Sequence, residues 1–220
     1  MTDIYFYQLP DSAGWADYAP LLPQISMERQ ARIADMPSDR NKILSLCAEL
    51  LLRRIACRQL AVENDSLHFQ KSEHGKPYLC GHEGFHFNWS HTKDALALAV
   101  AGSPVGIDIE YCPPRGDAEK LARRFYTEKE AAYVLQADHG RGTRFCELWT
   151  RKEAYTKYTG SGLTVALNSF DVTSDARLIT FQHAGYMLSL CCDPPDYQLT
   201  ILTDTHWRTR HNNEQTPNGL

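Results

Sequence analysis

Glu153 and Lys157 stand one helical turn apart in Thr150–Gly162, T-R-K-E-A-Y-T-K-Y-T-G-S-G, directly after Trp149. Glu153, Ala154, Tyr155 and Lys157 suit a helix, and Gly160 and Gly162 suit its stop. Side chains four apart share a helix face. A carboxylate and an ammonium held this way could serve a metal and a phosphate, or form an ordinary surface ion pair. A second acidic stretch is V-G-I-D-I-E, Val105–Glu110. On a strand Asp108 and Glu110 point to one side and Ile107 and Ile109 to the other, the acids' backbones about 6–7 Å apart. Carboxylates that close repel unless a cation lies between them or one is protonated. Oxygen-only ligands suit Mg²⁺. A plain amphipathic strand with one wet face is the alternative.

Two further stretches carry reactive groups. In F-Y-T-E-K-E (Phe125–Glu130), Thr127 and Glu130 fit a capping box, which by itself explains both. The chemical alternative makes Glu130 a general base. In N-W-S-H (Asn88–His91), a hydroxyl and an imidazole at a strand end could contact phosphate, or simply form a turn. A Ser–His nucleophile pair is disfavoured, because adjacent residues seldom face each other, and no G-x-S-x-G elbow occurs. Arg29, Arg32 and Lys76 are singly uninformative. No Walker A loop or G-x-G-x-x-G fingerprint is present.

The elements that must position these groups read as follows. Strands are predicted at Ile4–Leu9, Leu67–Phe69, Phe85–Trp89, Ala95–Ala101 and Val105–Tyr111. Helices are predicted at Ser26–Ile33 and, longest of all, Asp39–Leu60, where Ile43, Leu46, Leu50 and Ile55 fall near helical spacing. H-G-K-P (His74–Pro77) is a turn, and Pro113 and Pro114 open a loop. Helices at Asp117–Phe125 and Glu128–Ala137 precede the Thr150 helix. Strand-like pieces follow at Phe170–Thr173, Leu178–Phe181, Tyr186–Cys192 and Gln198–Leu202. Each half thus holds helices and short strands, an α+β pattern. The division falls near Gly102–Pro104, giving halves 1–104 and 105–203 and a polar tail, 204–220, expected to be mobile.

With 220 residues the chain can bury a sizeable core in one or two domains. A net charge of −4 shows no overall affinity for polyanions, so nucleic acid is not an expected partner. The longest apolar run, Ala95–Ala101, is too short to span a bilayer, and the first ten residues lack the basic region of a secretory signal. The seven cysteines are scattered, odd in number and without a C-x-x-C pair. That pattern predicts reduced thiols, a cytoplasmic protein and no structural zinc.

Taken in order, G-K-P (75–77), F-N-W-S-H (87–91), G-I-D-I-E (106–110), F-Y-T-x-x-E (125–130) and L-W-T-R-K-E-A-Y-T-K (148–157) followed by G-S-G-L stop being independent. From Ser26 to Cys191 the chain resembles the 4′-phosphopantetheinyl transferases of the larger, Sfp-like (surfactin-synthetase-activating), pseudo-dimeric type. The resemblance implies two similar α+β halves with a cleft between them that binds coenzyme A and Mg²⁺. It implies transfer of 4′-phosphopantetheine from coenzyme A to a serine of an apo acyl or peptidyl carrier protein, releasing 3′,5′-ADP. Asp108, Glu110 and Glu153 match the family's metal ligands. Lys157 matches the pyrophosphate-binding lysine, with Lys152 beside that site. Glu130 matches the acid that activates the serine or a bridging water. Ser90 and His91 match the phosphate-contacting pair, Lys76 and Pro77 the turn near adenine and ribose, and Arg29 and Arg32 the basic residues near the 3′-phosphate. A basic residue of the family on the Asp39 helix has no certain counterpart; Arg40 and Lys42 are the candidates. Thr127 and Thr150 stand where the family often has Ser.

Two rival classes set the test for that implication: a metal-dependent phosphodiesterase or nuclease, and an inactive coenzyme A-binding or carrier-binding module. The carrier itself is not legible. Its surface is expected near the start of the Glu128 helix and the loop beyond, with Lys120, Arg123 and Arg124 steering an acidic partner. A chain holding both halves is expected to act as a monomer.

Overall fold

The fold is described from a computed structural model covering residues 1–112, 117–137 and 139–207. In chain order the principal elements are β1 (Thr2–Gln8), α1 (Trp15–Tyr18), α2 (Met27–Ala34), α3 (Asp39–Leu60), β2 (Phe69–Lys71), β3 (Pro77–Leu79), β4 (His86–Thr92), β5 (Ala95–Ala101), β6 (Val105–Tyr111), α4 (Ala118–Phe125), α5 (Glu128–Leu135), α6 (Arg141–Thr159), β7 (Leu178–His183), β8 (Tyr186–Cys192) and β9 (Tyr197–Leu202). The Pro113–Pro114 loop lies outside the described residues.

Two sheets form the centre, one ordered β4-β5-β1-β9 and the other β6-β8-β7; β2 and β3 make a separate hairpin. The alanines at 95, 97, 99 and 101 turn one face of β5 toward Ile107, Ile109, Leu188 and Leu190 of the second sheet. Leu96, Leu98 and Val100 on the opposite face pack against α3. Burial on both faces explains why β5 reads as an unbroken apolar run. Behind the second sheet, α4, α5 and α6 close a third cluster around Phe145, Leu148 and Val172. The result is a mixed α+β fold, as expected. One strand crosses between the halves: β9 pairs in parallel with β1, from Thr2–Tyr197 to Tyr7–Leu202.

Four expectations are corrected. Phe170–Thr173 is not a strand, because side chains claim its backbone: the Val172 N–H donates to Glu130, and Phe170 O accepts from Lys152. The Thr150 helix begins at Arg141. Gly142 looks locally like a break, but burial of Phe145, Cys146 and Leu148 carries the helix through it, back to a left-handed N-cap at Gly140. The tail starts docked: Tyr7 and Tyr18 donate to Asp204, and Trp207, 2% exposed, packs against Tyr7. Residues 208–220 lie outside the described residues. Finally, Cys112 at the end of β6 and Cys146 on α6 form a disulfide, with Cα atoms 6.1 Å apart. These partners meet only through the fold, so spacing gave no hint of them. With that bond present, the scattered cysteines no longer argue for a reducing compartment.

Candidate active site

The G-I-D-I-E glycine is a packing requirement. A Cβ on Gly106 would lie 2.1 Å from the Ala154 carbonyl oxygen and 2.4 Å from the Tyr158 nitrogen. Only glycine lets β6 approach α6 this closely. The approach sets Asp108 and Glu110 against Glu153 and Lys157. Helix α6 then ends at Gly160, whose φ of 72° is the left-handed cap conformation glycine tolerates.

Lys157 reaches across to β6. Its ammonium donates to Asp108 Oδ1 at 2.6 Å and to the Ile107 carbonyl at 3.2 Å. Ser90 Oγ donates to the same Asp108 oxygen at 2.7 Å. The other oxygen, Asp108 Oδ2, is buried and has no hydrogen-bond partner. Glu110 accepts from Thr92 Oγ1 at 3.2 Å. The Glu153 carboxyl is raised above its usual range, first by burial and then by Asp108; Lys157 opposes this and Glu110 adds to it. Among the described residues no three acidic, His or Cys side chains yet close to metal-ligand spacing. The donor set nevertheless fits a hard cation. It offers oxygens only, one of them is buried without a partner, and the mutual repulsion of its acids a divalent ion would relieve. Asp108, Glu110 and Glu153 are the residues that could hold it.

Glu130 is placed differently from expectation. It is 0% exposed. Its Oε2 accepts from Thr127 N–H and Thr127 Oγ1, both at 2.9 Å, and pairs with Lys152 Nζ at 2.8 Å; Oε1 accepts from Val172 N–H at 3.0 Å. Both oxygens are engaged inside the protein, so the geometry gives no support to a base acting on an incoming serine. The capping box is present in full. Lys152 is equally buried and also donates to the Leu167 and Phe170 carbonyls. Burial pulls its ammonium below the usual range, and Glu130 opposes that. Lys152 therefore faces away from the Asp108 group.

Four of the expected cofactor-binding residues line two cavities. Arg29, Arg32 and Pro77 line a cleft of ≈ 400 Å³ together with Lys71, Phe69 and Trp89. Arg29 is held by Glu49 at 3.1 Å and lies over the Trp89 ring at 5.3 Å. Burial alone would raise Glu49, but the Ser26 amide and Arg53 hold its carboxyl below the usual range. Lys76 lines a second cavity of ≈ 430 Å³, which Pro77 also borders. Its ammonium donates to the Val105 and Tyr158 carbonyls, both at 3.1 Å, and burial lowers its pKa to about 8. His91 reaches solvent beside Ser90; partial burial of its ring, then Lys157 and Arg29, hold it below its usual range. Neither candidate on α3 points here: Arg40 is tied to Asp94 and the Leu9 carbonyl, and Lys42 to Asp39 and the Trp15 ring. Ser45, Glu49 and Arg53 are the α3 residues that support the cleft, and sequence reasoning missed them. It also missed Asn88 and Thr92, although their alternation with Ser90 opposite V-G-I-D-I-E was a readable signal.

The fold and site define an α+β protein with a carboxylate–lysine centre where its two sheets meet, and a basic, aromatic cleft nearby. The pattern of the 4′-phosphopantetheinyl transferase superfamily matches residues 104–214, and that of the 4′-phosphopantetheinyl transferase N-terminal region matches residues 10–103. The 4′-phosphopantetheinyl transferase psf-1 of Bacillus pumilus is 30% identical over 207 residues, 91% of this chain and 88% of that one. The transferase gsp of Aneurinibacillus migulanus is 32% identical over 171 residues, 77% and 70% of the two chains. Sfp of Bacillus subtilis is 28% identical over 190 residues, 79% and 84%. The chain belongs to the 4′-phosphopantetheinyl transferase superfamily, in its Sfp-like type, and is an enzyme of that class.

Proposed function

We propose that the enzyme transfers 4′-phosphopantetheine from coenzyme A to a serine of an apo acyl or peptidyl carrier protein, with release of 3′,5′-ADP. The observation that carries this reading is the buried, unpartnered Asp108 Oδ2, one contact from Lys157 and beside Glu153, whose ionised form burial and then Asp108 disfavour. Phosphoryl transfer asks a protein for positioning and charge neutralisation more than covalent chemistry. Asp108, Glu110 and Glu153 would hold Mg²⁺, which when bound supplies Lewis-acid neutralisation of the pyrophosphate. Lys157 brings a second positive charge to that group. Arg29 and Arg32 favour a 3′-phosphate in the 400 Å³ cleft, and Phe69, Trp89 and Pro77 offer flat apolar surface to a purine. Ser90 and His91, between cleft and carboxylates, suit phosphate contact. Pro77 borders both cavities, and Lys76 lines the second.

Glu130 is assigned a positioning role. Through Lys152, Thr127 and Val172 it joins α5, α6 and the 167–172 segment into one buried unit. The halves divide at 104/105, with β9 lent to the N-terminal sheet, and a single chain suffices to build the site, so a monomer is the functional unit. The test is release of 3′,5′-ADP from coenzyme A. We expect release only when an apo carrier and Mg²⁺ are both present; release without any carrier would turn the reading toward a phosphodiesterase.

A further inference from the structure

We propose that Thr92 is a positioning residue for Glu110, and that β4 sets the cation site through a row of polar side chains. This rests on the reading of Asp108, Glu110 and Glu153 as metal-holding. Asn88, Ser90 and Thr92 alternate along β4 and therefore face one side of it. Opposite them, the Ile107 N–H donates to Asn88 Oδ1 at 2.9 Å, Ser90 Oγ donates to Asp108 Oδ1 at 2.7 Å, and Thr92 Oγ1 donates to Glu110 Oε2 at 3.2 Å. The three contacts advance together along both strands. Yet β4 and β6 belong to different sheets and share no backbone ladder. These side chains therefore fix how β6 sits along β4.

A hydroxyl has one proton to give. Ser90 gives its proton to Asp108 Oδ1, and the oxygen left buried and unpartnered is Oδ2. Thr92 gives its proton to Glu110 Oε2, a contact that helps orient that carboxylate. Thr92 is well suited, since a β-branched side chain has few χ1 choices. Just past the end of β4, the Lys93 ammonium lies 3.9 Å from the centre of the Tyr111 ring. Hydrogen bonds of this kind to ligating groups hold them in ligating orientation and are commonly worth tenfold or more in metal affinity.

The experiment compares Thr92→Val, which keeps the shape and loses the proton, with Thr92→Ser, which keeps the proton. Protein loaded with coenzyme A, without carrier, is titrated with Mn²⁺, and free Mn²⁺ is read by electron paramagnetic resonance. We expect Mn²⁺ to bind Thr92→Val about tenfold more weakly and Thr92→Ser within about twofold of wild type, with unchanged Tm. The Mg²⁺ concentration for half-maximal transfer should shift by the same factor, with kcat recovered at saturating Mg²⁺. Unchanged Mn²⁺ affinity in Thr92→Val overturns the proposal, as does equal weakening in Thr92→Ser. If wild type binds Mn²⁺ but modifies no carrier, the transferase reading fails while the Thr92 comparison still decides. Wild type that binds no Mn²⁺ overturns the metal assignment and the Thr92 role with it.

Discussion

Burial first, and then Asp108, disfavour a carboxylate at Glu153, and the cost of ionising it there is measurable. Its folded-state pKa is raised, so stability falls as pH climbs from the unfolded value through the folded one, and stays lower at neutral pH. Glu153→Gln removes that cost. We expect its Tm at pH 7, without metal, to equal or exceed that of wild type, while Mg²⁺-dependent transfer falls about a hundredfold or more. Calorimetry and the 3′,5′-ADP assay check the two halves of this statement. Wild-type turnover by the variant would remove Glu153 from the ligand set. Glu130 is the opposite case, a fully buried carboxylate whose partners are all internal. Glu130→Gln leaves the Lys152 charge buried without its counterion, at a cost of about 3–5 kcal/mol. Denaturant unfolding should show that loss, with activity falling in step with the folded fraction. A variant as stable as wild type yet inactive would restore the role of base.

At the scale of elements, α6 and β6 form the frame, and Gly106 is the reason they can. How much of this was legible depended on whether the signal was local. The Asp39–Leu60 helix, Ala95–Ala101 and Val105–Tyr111 read correctly from periodicity and composition alone. The start of α6 did not, because Gly142 spoke locally for a break and tertiary burial overrode it. The segment at Phe170–Thr173 looked like a strand, but its backbone groups were claimed by Glu130 and Lys152, residues far away in sequence. The carboxylates and Lys157 could be named from their motifs. What could not be read was which neighbour each would choose: Lys157 goes to Asp108, and Lys76 turns to the ends of β6 and α6. The α3 network of Ser45, Glu49 and Arg53 was invisible for the same reason, since a polar residue inside a long helix carries no mark of its partner. Disulfide partners on a strand end and a helix were equally unmarked.

For the whole molecule, two sheets stacked between helices leave the reactive groups at their junction, and net charge becomes the relevant long-range property. A chain at −4 would repel an acidic carrier, so a local basic face has to do the steering. Helix α4 offers Lys120, Arg123 and Arg124, all exposed. Reversing Arg123 and Arg124 to Glu should raise the carrier KM several-fold at low salt, with the effect fading as salt screens the charges and kcat little changed. An unchanged KM at low salt would move the docking surface elsewhere. The most direct measurement is intact-mass spectrometry of small apo carrier proteins incubated with the enzyme, coenzyme A and Mg²⁺, beside an EDTA control. A carrier should gain one phosphopantetheine, and EDTA should prevent it. A broad panel of carriers left at apo mass, although coenzyme A binds, would contradict the proposed transfer.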